Sequence, residues 1–178
     1  MRIVAGSQKG RRIEAPKGVV TRPTGDRVRE ALFSIVGSVE GANVLDLFAG
    51  SGALGLEALS RGAAHAVFVE RDARACRVIQ ENAAKLGLVD VTRIVRGDAV
   101  RALRDAAARG ARYDLVLVDA PYDEWATLEA PLGELLPDVL ADGGLLVVET
   151  SSKVEPGLPL ALVTGRRYGS ARITVFSR

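Results

Sequence analysis

The stretch that decides the fold is DLFAGSGALG, residues 46–55. It follows the apolar pair Val44 and Leu45, so a buried strand ends in an acid and a glycine-rich turn that opens into a helix. Glycines at positions 50 and 52 let the backbone take positive φ and approach a ligand closely, and the first amides of the helix remain free to donate hydrogen bonds. This pattern predicts a nucleotide-binding corner.

From residue 42 onward, short apolar runs alternate with helix-like segments, which is typical of a parallel sheet with crossover helices. The predicted strands are residues 44–48, 66–70, 92–95, 113–119 and 144–149. The predicted helices are residues 53–60, 72–86, 99–108 and a segment between 125 and 140, with Gly62, Gly87, Gly110 and Gly143 at helix ends. The runs 160–163 and 171–176, joined by a short link over residues 165–169, are expected to pair as an antiparallel hairpin at the sheet edge. We therefore expect a doubly wound α/β fold.

The first 40 residues differ in sequence pattern from the rest of the chain. They are predicted to form a small extension to a domain of residues 41–178. Residues 2–5 and 11–14 flank a glycine-containing turn and predict a small hairpin. After an extended link, Thr24 is expected to cap a helix that runs to about Val36.

Composition limits the class of protein. At 178 residues the chain is long enough for one domain with a substantial core, and an apolar content of 48% excludes a disordered chain. No run approaches the roughly 18 apolar residues of a membrane span, and the first residues contain no apolar leader. The single cysteine, Cys76, excludes an internal disulfide and a cysteine-cluster metal site. We expect a soluble, cytoplasmic monomer without a metal.

The net charge of +2 conceals a separation of charge along the chain. Residues 1–30 carry eight Lys and Arg against three Asp and Glu, residues 166–178 add four Arg and no acid, and residues 31–165 are left with a net charge of −7. Basic ends on an acidic body indicate a surface for a polyanion, since Lys and Arg that contact phosphates release counterions; chance clustering is the alternative. The candidate nucleic-acid contacts are Lys9, Arg11, Arg12, Lys17, Arg166, Arg167 and Arg172.

Residues 50–55 match the pattern G-x-G-x-x-G, so a nicotinamide-dependent oxidoreductase has to be considered. Asp46 argues against it, because a carboxylate beside a pyrophosphate is repulsive. The same carboxylate attracts the sulfonium and α-ammonium groups of S-adenosylmethionine (SAM). We therefore predict SAM as the cofactor and S-adenosylhomocysteine (SAH) as its product.

Two further acids end predicted strands and are candidate cofactor contacts. Glu70 follows the glycine turn by about 20 residues, where an acid in nucleotide-binding folds accepts hydrogen bonds from ribose hydroxyls; a solvated strand-end acid is the alternative. Asp98 can meet the adenine amino group, cap the helix that begins at Ala99, or do both. The predicted cofactor-binding residues are Asp46, Phe48, Ala49, Gly50, Ser51, Gly52, Glu70, Arg71, Asp98 and Ala99, with Arg22 and Thr24 from the N-terminal part.

The chemistry is indicated by a second predicted strand that ends in an acid. Its apolar run ends at Asp119 and is followed by Ala120, Pro121 and Tyr122. This motif ends the strand next to the first, at the crevice where open α/β sheets hold their ligands. Hydrogen bonds from an exocyclic base amine to the Asp119 carboxylate and the Ala120 carbonyl would draw the amine toward sp³ geometry and aim its lone pair at a methyl group. Pro121 stiffens the loop, and Tyr122 can stack on an extracted base. An ordinary strand–Asp–Pro turn is the alternative, and Trp125 either joins the base pocket or packs the loop.

Five segments together carry a resemblance over nearly the whole chain: KGRR at 9–12, TRPT at 21–24, DRVREALF at 26–33, DLFAGSGALGLEALSR at 46–61 and DAPY at 119–122. The chain resembles the RsmD family of bacterial 16S ribosomal RNA guanine-N2 methyltransferases. The motifs that begin at Asp46 and Asp119 occur throughout SAM-dependent methyltransferases, whereas the block around Arg22 is the more specific signal. One position departs from the family, whose catalytic motif usually reads Asp-Pro-Pro-Phe/Tyr, because Ala120 replaces the first proline and gives the loop more freedom.

The resemblance implies a class I SAM-dependent methyltransferase fold, with a seven-stranded, mostly parallel sheet whose last strand is antiparallel. It also implies methylation of one guanine in a hairpin of 16S rRNA, within an assembled small ribosomal subunit or late precursor. In this interpretation Asp119, Ala120, Pro121 and Tyr122 are catalytic, and the basic residues of both termini bind RNA. The acid–proline–aromatic motif equally permits a DNA amino-methyltransferase, and a non-catalytic SAM-binding ribosome assembly factor also remains open.

Overall fold

A computed structural model describes residues 1–16 and 25–178. The elements, in chain order, are α1 Asp26–Val36, β1 Asn43–Leu47, α2 Ala53–Ser60, β2 His65–Glu70, α3 Ala73–Leu86, β3 Thr92–Arg96, α4 Ala99–Ala108, β4 Tyr113–Asp119, α5 Trp125–Val139, β5 Leu140–Ser151, β6 Ala161–Tyr168 and β7 Ala171–Ser177. A 3₁₀ turn, Val89–Val91, precedes β3. In these two ranges no helix is long and apolar enough to cross a membrane.

The seven strands form one sheet in the order β3-β2-β1-β4-β5-β7-β6. Strands β1 to β5 are parallel, while β7 runs antiparallel to both β5 and β6. The doubly wound, mostly parallel sheet with an antiparallel last strand is thus confirmed. Strand order reverses between β1 and β4, and in open α/β sheets this reversal opens a crevice at the carboxyl ends of the strands.

Apolar side chains alternate between the two faces of the sheet and build two core clusters. On one face α2 and α3 pack through residues such as Leu56 and Ile79, and on the other α4 and α5 pack through residues such as Leu103 and Leu136. Burying both faces of a parallel sheet is what the near-continuous apolar runs of β1 and β4 require. The packed sheet is therefore a rigid support for the loops that follow the ends of its strands.

Residues 1–14 form the predicted hairpin, which we call the N-terminal arm. It has a single ladder bridge, between Arg2 and Arg12, and is closed by Ile3 N–H donating to the Arg11 carbonyl at 2.9 Å. Ile3 and Ile13 are buried in the same cluster as α2 and α3, together with Leu32 of α1. The arm is therefore fixed to the sheet domain by apolar packing rather than by strand pairing alone.

The structure corrects the sequence prediction at three places. Residues 165–167 belong to β6 rather than to a link, because pairing with β7 continues to Tyr168 and Gly169, at φ +62°, closes the turn. Gly143 lies inside β5 instead of ending α5, whose C-cap is Leu140. The N-cap of α1 is Gly25, without a side-chain bond, and the predicted cap Thr24 lies outside the described residues.

Candidate active site

A cavity of about 510 Å³ opens at the strand-order reversal, where β1, β2, β4 and β5 end. Ligand sites in proteins fall in this size range. Most residues predicted to bind cofactor or act in catalysis line it: Asp46, Phe48, Ala49, Gly50, Ser51, Glu70, Arg71, Asp98, Ala99, Asp119, Ala120, Pro121 and Tyr122. Two stretches that are 73 residues apart in sequence are therefore brought to one site.

The glycine corner has the backbone that its sequence requires. Gly50 and Gly52 take positive φ, +56° and +77°, and Phe48 does so too at +62°, which is an uncommon conformation for a bulky residue. Such outliers cluster at ligand sites, where the surrounding structure holds them. The corner thus turns the chain sharply out of β1 and presents its backbone to the cavity.

Gly52 differs from the expected ligand contact. It is not among the residues that line the cavity, and a Cβ built on it would lie 3.2 Å from Ile79 and 3.3 Å from Phe68. A side chain at this position would therefore point into the core, and its glycine is needed for the turn and for packing. The other two N-terminal candidates, Arg22 and Thr24, lie outside the described residues.

Glu70 clamps the corner at the end of β2. Its Oε2 accepts the Gly50 N–H at 2.8 Å, and its Oε1 accepts the Asp72 N–H at 2.8 Å. Each carboxylate oxygen has two acceptor sites, so each keeps one for a ligand hydroxyl. The geometry suits the predicted contact with two ribose hydroxyls.

Asp46 is buried, with 1% of its surface exposed, and its Oδ2 accepts the Gly55 N–H of α2 at 2.9 Å. Burial raises the pKa of Asp46 from 3.8 to about 7, against the lowering effect of that hydrogen bond, and the nearby charge of Glu70 raises it further. The acid is thus poised between its neutral and charged forms near neutral pH. A cation in the cavity would favour the charged form.

The structure is compatible with both predicted roles of Asp98, as a helix cap and as a cofactor contact. Its side chain caps α4 by accepting the Arg101 N–H at 2.9 Å, and it also lines the cavity. Arg71, at the end of β2, forms an ion pair of 2.5 Å with Glu124, just before α5. This pair joins the two walls of the cavity that flank β1.

The catalytic motif begins where β4 ends. Asp119 is the last residue of β4, and Ala120 is buried, with 3% of its surface exposed, in the apolar cluster of α4 and α5. That packing restricts the position of Ala120 in the loop although it lacks the ring of proline. Tyr122 donates its hydroxyl hydrogen to Glu149 Oε1 at 3.0 Å.

Glu149 is a site residue that sequence reasoning missed. It is the register partner of Asp119 on the neighbouring parallel strand β5 and lines the same cavity. The available signal was an acid that follows the apolar run of residues 145–148, as Asp119 follows its own run. Trp125, in contrast, is 3% exposed within the core and does not line the cavity, so it packs the loop.

The cavity is strongly acidic. Among the described residues that line it, Arg71 has the only cationic side chain, and it is paired with Glu124. Eight acids line the same space: Asp46, Glu70, Asp72, Asp98, Asp119, Asp123, Glu124 and Glu149. Such a field opposes a pyrophosphate and favours a cationic ligand, which argues against a nicotinamide dinucleotide.

The basic candidates divide into two groups by exposure. Lys9, Arg11 and Arg12 are exposed on the arm, and Arg166 and Arg167 are exposed on β6. Arg172 is buried, and its Nη2 lies 3.2 Å from Glu155 Oε2, so it is not available to bind a phosphate. Lys17 lies outside the described residues. Within residues 1–16 and 25–178, no group of three or more His, Cys, Asp or Glu side chains could hold a metal ion.

The sheet order, the glycine corner and the acidic cavity define a class I SAM-dependent methyltransferase. The cofactor of this class is SAM, and its product SAH is bound in two solved structures of the same fold. The family model described as "Conserved hypothetical protein 95" matches residues 1–177. The chain belongs to this family, the RsmD family.

Individual relatives cover most of the chain. The putative rRNA methyltransferase YlbH of Bacillus subtilis is 39% identical over 186 residues, which cover 100% of this chain and 99% of YlbH. Ribosomal RNA small subunit methyltransferase D of Escherichia coli K12 is 43% identical over 162 residues, covering 89% and 78%. The solved structure of the putative methyltransferase YhhF from Escherichia coli matches with a TM-score of 0.83 at 34% identity, covering 100% of this chain and 97% of that one.

Proposed function

We propose that this protein transfers a methyl group from SAM to the exocyclic N2 amine of a guanine in small-subunit ribosomal RNA. The observation that carries the proposal is that the Asp119–Tyr122 motif and the acidic glycine corner line one cavity. The family relatives named as rRNA methyltransferases support RNA as the substrate.

The residues of the cavity fit the cofactor. Glu70 has spare acceptor sites for the ribose hydroxyls. Asp98, which caps α4, also lines the cavity and can accept from the adenine amino group. Asp46 provides a carboxylate for the cationic end of the cofactor. Bound SAM would supply an electrophilic methyl group on a sulfonium. The acids of the cavity stabilise that positive charge until transfer removes it.

Asp119 and the Ala120 carbonyl prepare the nucleophile. The lone pair of a guanine N2 amine is delocalised into the ring, and hydrogen bonds from its two N–H groups to these acceptors localise it on nitrogen. Methyl transfer would form the N–CH₃ bond and leave the S–CH₃ bonding pair on sulfur, and Asp119 would accept the extra proton of the nitrogen or pass it to water. Tyr122 stacks on the extracted base, with its hydroxyl held by Glu149.

The acidic cavity makes separate RNA contacts necessary, because a polyanion is repelled by its rim. Lys9, Arg11 and Arg12 are exposed on the arm. Through their pairing with β7, Arg166 and Arg167 of β6 are in register with Glu149 and Thr150 of β5. They therefore lie at the same end of the sheet as the cavity. We infer that these two groups hold RNA phosphates on either side of the target base.

Mass spectrometry of rRNA nucleosides tests the whole proposal. Cells lacking this protein should lose one N2-methylguanosine from small-subunit rRNA, and the purified protein should restore it with labelled SAM on small subunits isolated from those cells. Comparing naked rRNA with assembled subunits identifies the form of the substrate. Transfer to DNA instead, or impaired subunit assembly with methylation unchanged, would refute the proposal in favour of the two alternatives.

A further inference from the structure

One buried amide joins the N-terminal arm to the cofactor corner. Asn82 of α3 is 1% exposed, and its Oδ1 accepts the Glu14 N–H at 2.8 Å. Its Nδ2 donates to the Glu14 carbonyl at 3.0 Å and to the Ser51 carbonyl at 3.0 Å. The arm residue is thus held as a neighbouring strand would hold it, while the same amide nitrogen holds the loop between Gly50 and Gly52.

The chemistry of these bonds requires an amide. An aspartate of the same shape could accept the Glu14 N–H, but it could not donate to either carbonyl. Because the group is buried, carbonyls that lose their partner stay without one, and such losses are costly. Asn82 therefore ties the position of Ser51 to the position of Glu14.

Ser51 also donates its hydroxyl to Met1 Sδ at 3.5 Å, so the arm meets the corner at a second point through a weak sulfur acceptor. Further polar anchors of the arm act on α2. Ser60 of α2 donates to the Ala5 carbonyl at 2.6 Å and accepts the Gln8 N–H at 3.0 Å. Glu57 of α2 accepts the N–H groups of Val4 and Ala5 at 2.7 and 2.9 Å. These bonds hold the arm to the middle and end of α2, away from Ser51 at the corner. Asn82 is thus distinguished as a buried side chain that bonds the backbone of the arm and the backbone of the corner at once.

We propose that Asn82 is a positioning residue that couples RNA docking on the arm to cofactor binding at the corner, a step that rests on the proposed function. RNA phosphates held by Arg11 and Arg12 restrain the arm two to three residues before Glu14. Through Asn82 this restraint orders Ser51, so the cofactor binds a corner that has already lost part of its freedom. By linkage, the cofactor raises RNA affinity by the same factor.

The test is equilibrium dialysis of radiolabelled SAH with and without saturating small ribosomal subunits from cells that lack the protein. Subunits should lower the Kd of the wild-type protein for SAH by about fivefold or more, the lower end of usual coupling. Asn82→Ala should reduce that ratio to about one and weaken SAH binding by itself. The matched control is Ser60→Ala, which loosens the arm without touching Ser51 and should keep the wild-type ratio.

Asn82→Asp keeps the shape of the side chain but replaces the amide donor with a carboxylate oxygen that faces the two carbonyls, so it is the second test if Asn82→Ala does not fold. Circular dichroism establishes the folding of each variant. A wild-type ratio of one, an unchanged ratio in the Asn82 variants, or an equal loss in Ser60→Ala would each overturn the inference. Failure of the wild-type protein to bind SAH or subunits at all would instead contradict the proposed function.

Discussion

The hydroxyl of Tyr122 donates to Glu149 Oε1 at 3.0 Å, which joins the loop after β4 to the end of β5 across the mouth of the cavity. The bond holds the aromatic ring by its polar edge. Glu149 is itself buried, so its carboxylate is an anchored acceptor. A ring tethered in this way loses little further freedom when a base stacks on it.

Variants of Tyr122 should separate stacking from tethering. Tyr122→Ala should weaken productive RNA binding by about 1 to 3 kcal/mol, the usual contribution of one base–aromatic stack. Tyr122→Phe keeps the ring and should lose only about 0.5 to 1.5 kcal/mol, the contribution of one hydrogen bond. The KM for small subunits measures both effects, and equal losses in the two variants would show that stacking is not the role of the ring.

Asp119 should matter for chemistry and not for cofactor binding. Asp119→Ala and Asp119→Asn are expected to lower the single-turnover methylation rate by about 100-fold or more, because one preorganised electrostatic contact with the amine is lost. Calorimetry should find SAM affinity within a few-fold of wild type. Asp138→Ala, which removes an exposed acid on α5, is the control. A near-normal rate in both Asp119 variants would remove it from the proposed mechanism.

Cofactor affinity should depend on pH through Asp46. Its pKa of about 7 means that much of the free protein carries a neutral Asp46 below neutral pH, whereas a cationic ligand prefers the carboxylate. Binding therefore expels a proton, and SAM affinity should rise with pH by at most about tenfold per unit until it levels off above pH 7. Asp46→Asn should remove this dependence. A flat wild-type profile between about pH 5 and about pH 8 would contradict the assignment.

The same shift has an opposite effect on the stability of the unliganded fold. The unfolded chain ionises Asp46 at its ordinary pKa of 3.8, whereas the folded chain ionises it only at about 7. Between these values the unfolded state binds fewer protons at this residue, so its contribution makes the free energy of unfolding fall as pH rises. Below 3.8 and above 7 this contribution is constant. Urea unfolding of wild type against Asp46→Asn isolates it.

Local sequence patterns were sufficient to predict the sheet and the glycine corner. They were insufficient to predict contacts between neighbouring strands and helices. The acid and glycines of residues 46–55 act within one strand–turn–helix unit, so their roles follow from spacing. Glu149 becomes a site residue only through its register with Asp119, which depends on which strands are neighbours. The burial that shifts the pKa of Asp46 and the inward direction of Gly52 likewise arise from packing by α3 and β2.

Gly55 should be intolerant of a side chain for a reason of packing. A Cβ there would lie 2.4 Å from the buried ring of Phe68 and 3.1 Å from Asp46 Oδ2. Gly55→Ala gains at most ~1 kcal/mol of helix propensity, which overpacking of about 1 to 3 kcal/mol should outweigh at so short a distance. The urea midpoint should fall. Gly157→Ala, whose Cβ would lie 3.8 Å from its nearest neighbour, should change it little.

The arm should account for part of the salt dependence of RNA binding. Replacing Lys9, Arg11 and Arg12 with alanine should weaken binding to small-subunit rRNA and reduce the slope of log affinity against log salt by up to about 2 to 3 units, if each residue neutralises one phosphate. Methylation at saturating RNA and saturating SAM should be unchanged, because none of the three lines the cavity.

The matched control for the arm is a triple alanine variant of Arg93, Arg104 and Arg109, which are equally exposed. Arg93 lies near the start of β3, and Arg109 follows α4, so both are placed toward the end of the sheet opposite the cavity. This variant removes the same charge and should leave most of the salt slope in place. Filter binding at several salt concentrations compares the two. Equal slopes in both triple variants would show that the arm makes only the general contribution of net charge, and Arg166 and Arg167 would then be tested as the docking surface.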